Sequence, residues 1–453
     1  MLEQQKKKAH VELLFENPES SIIKLATPTI VANFVQIFYN LVDAFWISTL
    51  KNAYLGVAGV GLAQPLNFAA ISLAGGIGVG TNSLISRSIG AKDYERASKA
   101  ASNGIIITLF VSLIASVILI VFSRNIFIRM GAGEALENAI HYGNIIFLSL
   151  PISFLNMVFN YIFRAEGDTK RSMYAMIAGS VLNIALDPVF IFVFKMGVVG
   201  VAVATVVSQV VSLSMLIYWA IIKKTTFVKI HIGKSYLDIY PMWEIVKVGF
   251  PFTLSQFLIS FSQMLYNHLC ASLRGPQGIT IYSTGMRLNQ FAVLPSLGIS
   301  ASTISVVGAW YGARDKEMVK NSIIASWKIG ILIQTIIAVL IFVFAPLLAR
   351  IFSNDLSMKV LMPEVVKFLR ITSLSYIFIP IGMYTSSAFN GMGKGINSAI
   401  LTLMRLLIIA YPTSYILGIM FKMGLTGVWW GLNVAPVGAS IIAIIWLKLK
   451  KII

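Results

Sequence analysis

Asp43 and Asp187 are the residues of this chain best placed to do chemistry. Of the 18 acidic residues, 16 fall in tails, in loops or at the ends of apolar stretches, and these two lie well inside such stretches. A carboxylate at membrane depth costs about 3 kcal/mol on the insertion scale, and it normally faces a cavity and has a function. A structural ion pair is the plainer alternative. Asn183 precedes Asp187 by four residues, on the same face of a helix. Pro188 follows and frees a backbone carbonyl nearby. Carboxylates, an amide and freed carbonyls make a hard-oxygen site that suits Na⁺. Two carboxyl groups sharing one proton suit H⁺ equally well. Gln36, Tyr39 and Asn40 accompany Asp43 on its own stretch. Each is as able to glue helices together as to bind a ligand.

The elements that must position these residues are membrane-spanning helices. The chain has 453 residues, 57% of them hydrophobic and 12% charged. A soluble domain carries about 25% charged residues. Twelve apolar stretches recur at 22–50, 55–86, 101–123, 138–163, 171–194, 199–222, 245–271, 278–308, 322–349, 366–389, 396–420 and 425–447. Each is long enough to cross a bilayer, which takes about 20 residues. They are expected to be helices, because a helix satisfies its own backbone hydrogen bonds in lipid. The expected fold class is therefore all-α integral membrane. The polar start, Met1 to Ser21, has no apolar core and predicts no cleavable signal peptide. The single cysteine, Cys270, excludes an internal disulfide and reads as a buried spectator.

Net charge is +18. No compact basic domain or recognition-helix pattern accompanies it, so nucleic acid is not an expected partner. Topology explains the charge better. With the N-terminus inside, inner segments hold 24 Lys and Arg, outer loops hold 10, and Arg287 and Arg405 lie deep within stretches. That asymmetry predicts cytoplasmic termini. No Asn-x-Ser/Thr sequon occurs, which fits a prokaryotic source. Asp43 and Asp187 each lie seven residues before the expected outer ends, Leu50 and Phe194. At 1.5 Å per residue, both sit roughly 10 Å below that surface.

The chain also repeats itself. The segment from Ile22 to Pro28 matches that from Ile245 to Pro251 at an offset of 223. Gly90-Ala91-Lys92-Asp93 matches Gly312-Ala313-Arg314-Asp315 at 222, and Phe194-Lys195-Met196-Gly197 matches Phe421-Lys422-Met423-Gly424 at 227. The expected plan is two pseudo-symmetric six-helix bundles with the same orientation. A cytoplasmic segment 1–21, an N-terminal lobe 22–223, a linker 224–244 and a C-terminal lobe 245–453 follow. Two like-oriented bundles with a cavity between them suit alternating access. Asp43 plus the offset falls on Tyr266, so coupling chemistry is expected in the first half alone. Pro28 and Pro251 break the first helix of each half, as static kinks or as hinges. The glycine run from Gly75 to Gly80 reads as close helix packing. It follows no strand and lacks the Lys-Ser/Thr of a phosphate loop. No acidic metal–diphosphate cluster or histidine-rich site supports a membrane-embedded transferase. A flippase for lipid-linked sugars is a second transporter reading, with only Arg287 and Arg405 to meet phosphates.

Several motifs together resemble the multidrug and toxic compound extrusion (MATE) transporters. They are Pro28 through Asp43-Ala44-Phe45-Trp46-Ile47, Arg87-Ser88-Ile89-Gly90-Ala91, Asn160 with Arg164-Ala165-Glu166-Gly167-Asp168, and Asn183 through Asp187-Pro188. Gly200, Ala204-Thr205 and Ser208-Gln209 complete the set. The resemblance covers nearly the whole chain. It implies twelve helices in two lobes and export of mainly cationic organic compounds by antiport against Na⁺ or H⁺. It implies a cation site at Asp43, Asn183, Asp187 and Thr205, which would be the metal ligands if the ion is Na⁺. Gln36, Tyr39 and Asn160 surround that site, and Pro28 is the candidate hinge. Arg287 and Arg405, the deep cations of the second half, are structural counter-charges or line a cavity. No cofactor, a monomer and a multi-pass place in the cell membrane are expected. The lack of a deep acid in the second half makes the chain similar to the archaeal and DinF-type branch.

Overall fold

A computed structural model describes residues 9–49, 53–231, 237–350 and 356–452. Lys6 to Lys8, Leu50 and part of the 224–244 linker lie outside the described residues. The described residues form helices without strands. In chain order these are α1 (Pro18–Ser48), α2 (Ala53–Gly90), α3 (Tyr94–Arg129), α4 (Leu136–Leu148), α5 (Leu150–Ala165), α6 (Thr169–Pro188) and α7 (Val198–Ile217). The second half follows with α8 (Ile239–Gly312), α9 (Lys316–Arg350), α10 (Leu356–Ser373), α11 (Ile379–Gly391), α12 (Gly395–Leu403), α13 (Tyr411–Tyr415) and α14 (Gly424–Leu449). Among the described residues ten helices are long and apolar enough to cross a membrane, and α4 and α5 make an eleventh span bent by 47°. The 74 residues of α8 would reach about 110 Å as one rod, far beyond a bilayer. Its backbone leaves helical geometry at Arg274 and Gly275, where φ at Gly275 is +59°. Two spans meet there, and the total is twelve.

Several helices differ from the sequence expectation. The third span extends over Tyr94–Arg129, because its polar first turns, unlike its apolar middle, are held by packing rather than hydropathy. The fourth is two helices. Pro28 and Pro251 do not break their helices: α1 and α8 run through both. A proline costs one N–H and a clash with the preceding turn, which a long packed helix can absorb.

The duplication is visible in the backbone. Asp93 caps α3 by accepting from Arg96 N at 3.0 Å, and Asp315 caps α9 by accepting from Met318 N at 3.0 Å. Just before each cap, Lys92 and Arg314 take φ of 60° and 61°. Lys195 and Lys422 share φ of 54°. Each of these turns ends a π-helical turn, Val189–Val193 in one half and Ile416–Met420 in the other.

The chain divides into two compact units. One comprises Met1–Glu16 and Thr27–Thr253, the other Asn17–Ala26 and Leu254–Ile453. In the first unit α2 packs against α3, α4 and α5, and α7 against α4, α5 and α6. The glycine run of α2 is where the opening turns of α8 approach it. A Cβ on Gly76 would overlap Thr253 Oγ1, and one on Gly80 would overlap the Ile245 carbonyl. The chain after α7 is strapped to the same unit. Lys229 N and His231 N donate to Ser98 and Ser102 Oγ on α3, at 3.0 and 3.1 Å. Phe227 N and Val228 N donate to the Glu166 carboxylate at 2.7 and 3.2 Å. Glu244 pairs with Arg96 at 2.7 Å and with Arg87 at 3.7 Å. The core of the second unit is aromatic, with Trp429 edge-on to Phe368 and stacked on Tyr282.

Candidate functional site

α1 carries Asp43, and α6 carries Asn183 and Asp187 one turn apart. The fold brings these three together with Thr205 of α7. With the Asn183 amide oriented so that both of its ends are satisfied, its nitrogen donates to Asp43 Oδ1 at 2.9 Å and its oxygen accepts from Thr205 N at 3.2 Å. Thr205 Oγ1 donates to Val201 O at 2.9 Å. The Asp43 and Asp187 carboxyls are within hydrogen-bonding range of each other. Asp187 is fully buried, and neither of its oxygens receives a bond from a permanent donor. A buried carboxyl is normally hydrogen-bonded. One facing only a second carboxyl group is satisfied by a proton or cation between them.

Tyr39 hydrogen-bonds Gln36 and lies in the electrostatic field of both carboxyls. Tyr142 of α4 shares that field, and nothing in the sequence marks it, because a tyrosine in a span is ordinary. Immediately beyond Asp187 and Pro188 the helix widens into the Val189–Val193 π-turn. Such turns are rare and cluster at functional sites.

Asn160 belongs to another network. Its amide donates to Asn156 O and Oδ1, both at 2.8 Å, and its oxygen accepts from Ser172 Oγ at 2.6 Å. Asn156 in turn donates to Gln209 O at 3.2 Å. Ser172 is fifteen residues before Asp187 on α6, about 22 Å along the helix. Arg287 is exposed on α8 and has no hydrogen bond or ion pair among the described residues. Pro28 is buried, about four turns from Asp43 along α1.

The second half holds a neutral replica of the carboxyl pair. The offset of 223 carries Asp43 to Tyr266, and that of 227 carries Asp187 to Ser414. Tyr266 and Ser414 hydrogen-bond through their hydroxyls at 2.9 Å. The geometry of the pair is kept, and its charge is not.

The two carboxyls can hold a proton between them, and with Thr205 and the Asn183 amide they can also ligate Na⁺. Both ends of the Asn183 amide are satisfied when its nitrogen faces Asp43, and Thr205 Oγ1 is turned to a backbone carbonyl. Among the described residues no three His, Cys, Asp or Glu side chains converge. Asp43 and Asp187 would be the charged ligands of a Na⁺ held there.

Comparisons with known proteins bear on the family and the fold. The multidrug export protein MepA of Staphylococcus saprophyticus is 28% identical over 97% of this chain and 96% of its own length. A multidrug resistance MATE family transporter of the MOP superfamily, solved in an outward-facing conformation, superposes with a TM-score of 0.93. It is 35% identical, covering 97% of each chain. A MATE structure in a bent conformation gives a TM-score of 0.92 at 34% identity, again over 97% of each chain. The MatE family model matches residues 28–189 and 251–416, one stretch in each half of the duplication. The chain belongs to the MATE family of transporters.

Proposed function

We propose that this protein exports small, mainly cationic organic compounds across the cell membrane by alternating access, in exchange for an inward-moving cation. The observation that carries the reading is the Asp43–Asp187 pair. Asp187 is fully buried and short of permanent donors, and Asp43 lies half-buried beside it on a neighbouring helix. The relatives that are multidrug exporters support the substrate class. They do not favour a flippase for lipid-linked sugars.

Antiport requires that drug and cation disfavour each other, and that coupling is reciprocal. Asp43 supplies it. Ionised, it attracts a cationic drug; once protonated it does so far less. The Asn183 amide holds Asp43 in place in either state. In this reading the coupling ion is a proton. Pro28 serves as the hinge of α1, because its missing N–H leaves that helix easy to bend. Both termini lie in the cytoplasm on the balance of basic residues. No cofactor takes part.

The test is efflux of ethidium from proteoliposomes under separately imposed pH and Na⁺ gradients. A pH gradient should drive export in the wild type. Asp43→Asn and Asp187→Asn should abolish it while the protein still inserts and folds. Export driven only by Na⁺ would replace the proton with sodium. Export driven by neither gradient would remove the coupling role.

A further inference from the structure

Arg405 is the least explained charge in the molecule. It lies on the span that opens with Gly395, ten residues from that end. At 1.5 Å per residue it is about 15 Å deep, near the middle of a hydrocarbon layer about 30 Å thick. Its flanks are Met404, Leu406 and Leu407. The side chain is half-buried, its Nε is sealed from solvent, and Nε has no acceptor among the described residues.

Several other arginines find partners. Arg96 and Arg171 meet carboxylates at 2.7 Å, Arg274 meets Glu364 at 3.3 Å, and Arg164 reaches Ser172 and Met176. Arg405 has no such recourse, because the sequence provides none. No Asp or Glu occurs from Leu254 to Arg314 or from Val365 to Ile453. Of the four acids of this half, Asp315, Glu317 and Glu364 lie at helix starts or near span ends, and Asp355 is outside the described residues. A guanidinium at this depth costs about 3 kcal/mol even on the mild scale, and it is ordinarily paired.

A second observation comes from the duplication. Arg405 is the second residue of a seven-residue π-turn, Met404–Ala410. The offset of 227 carries Arg405 to Ala178, in the ordinary helix of α6. The π-turn at Ile416–Met420 has its counterpart in the first half, and this one does not. Charge and backbone therefore depart from the repeat at the same place. π-turns of this kind gather at functional sites.

We propose that Arg405 is the receptor for the acidic group of an amphiphile, a carboxylate or phosphate monoester or diester carried on an apolar body. The missing counter-charge is the ligand's own. The bidentate fork of the guanidinium matches a carboxylate or phosphate, and the apolar flanks at mid-membrane depth take the rest of the molecule. This site is separate from the Asp43–Asp187 pair and does not depend on how export is coupled.

The test uses cis-parinaric acid, a fluorescent fatty acid, and its methyl ester, bound to the purified full chain in neutral maltoside micelles. The pH is set where the acid is ionised. Wild-type protein should prefer the acid by roughly tenfold or more, the worth of a charge-assisted pair. Arg405→Gln should lose that preference while binding the ester as before, and Arg405→Lys should keep part of it. Competition then distinguishes the sources. Displacement by dioleoylphosphatidylglycerol but not by phosphatidylcholine points to a lipid headgroup; resistance to both, with displacement by oleate, points to a free acid. Equal binding of acid and ester by the wild type would overturn the proposal. An undiminished acid preference in folded Arg405→Gln would do the same.

Discussion

Asp187 has a carboxyl group with no permanent donor, and Glu166 has two. Phe227 N and Val228 N both point at Glu166, in the turn between α5 and α6. Burial and the neighbouring Asp168 charge nevertheless push its carboxyl up from the ordinary 4.5 to about 8. The folded protein then binds a proton there that the unfolded chain releases between about pH 4.5 and 8. Stability from this group is present below that window and is lost as pH rises through it. The melting temperature of wild-type protein should therefore fall across the window. Glu166→Gln, which keeps an acceptor oxygen for the strap, should flatten that part of the profile. An identical slope in both proteins would show that Glu166 stays ionised, held by its two backbone donors. Residue type decides what is legible at this scale. Asp43 and Asp187 stand out in the sequence because acids inside apolar stretches are rare. Tyr142 and Asn156 do not, because their roles depend on which helices lie beside them.

At the scale of helices, close approach depends on small residues. Gly80→Val would push a branched side chain into the Ile245 carbonyl, so α2 and the start of α8 must separate. Overpacking of this sort costs about 1–3 kcal/mol. The variant should melt earlier than wild type and export less, whereas Gly61→Ala, which meets no atom within 4 Å, should be neutral. Equal melting of Gly80→Val and wild type would show that the contact is loose. Pro28→Ala restores a backbone donor to a helix that is already continuous. Under the hinge reading it should slow turnover without lowering protein yield; unchanged turnover would make the proline a static feature. Hydropathy makes the spans legible, and the glycine run signals tight packing. The joint inside α8 is harder to read. Arg274 and Gly275 are two residues, and the flanking chain resumes helix at once. The 148-residue separation of Arg96 from Glu244 likewise hides their pairing from any local pattern.

For the molecule as a whole, the repeat is the feature that sequence reading recovers most fully. Matching left-handed lysines, matching aspartate caps and matching π-turns all fall at the offsets read from three short motifs. The halves have diverged in charge, with acids buried in the first and Arg405 in the second. The replica pair Tyr266–Ser414 shows that the geometry survives without the charge. Orientation is a separate matter that the basic-residue balance alone addresses. Cysteine labelling of tags at each terminus in intact cells should fail until the membrane is permeabilised. Labelling from outside would invert the map. The central claim is that drug and cation compete through Asp43. It is tested most directly by measuring the affinity of purified protein for a cationic drug as pH is lowered and, separately, as Na⁺ is raised. Affinity should fall as the carboxyl pair takes up a proton, stay level as Na⁺ rises, and lose its pH dependence in Asp43→Asn. Affinity in the wild type that is indifferent to both ions would contradict the account.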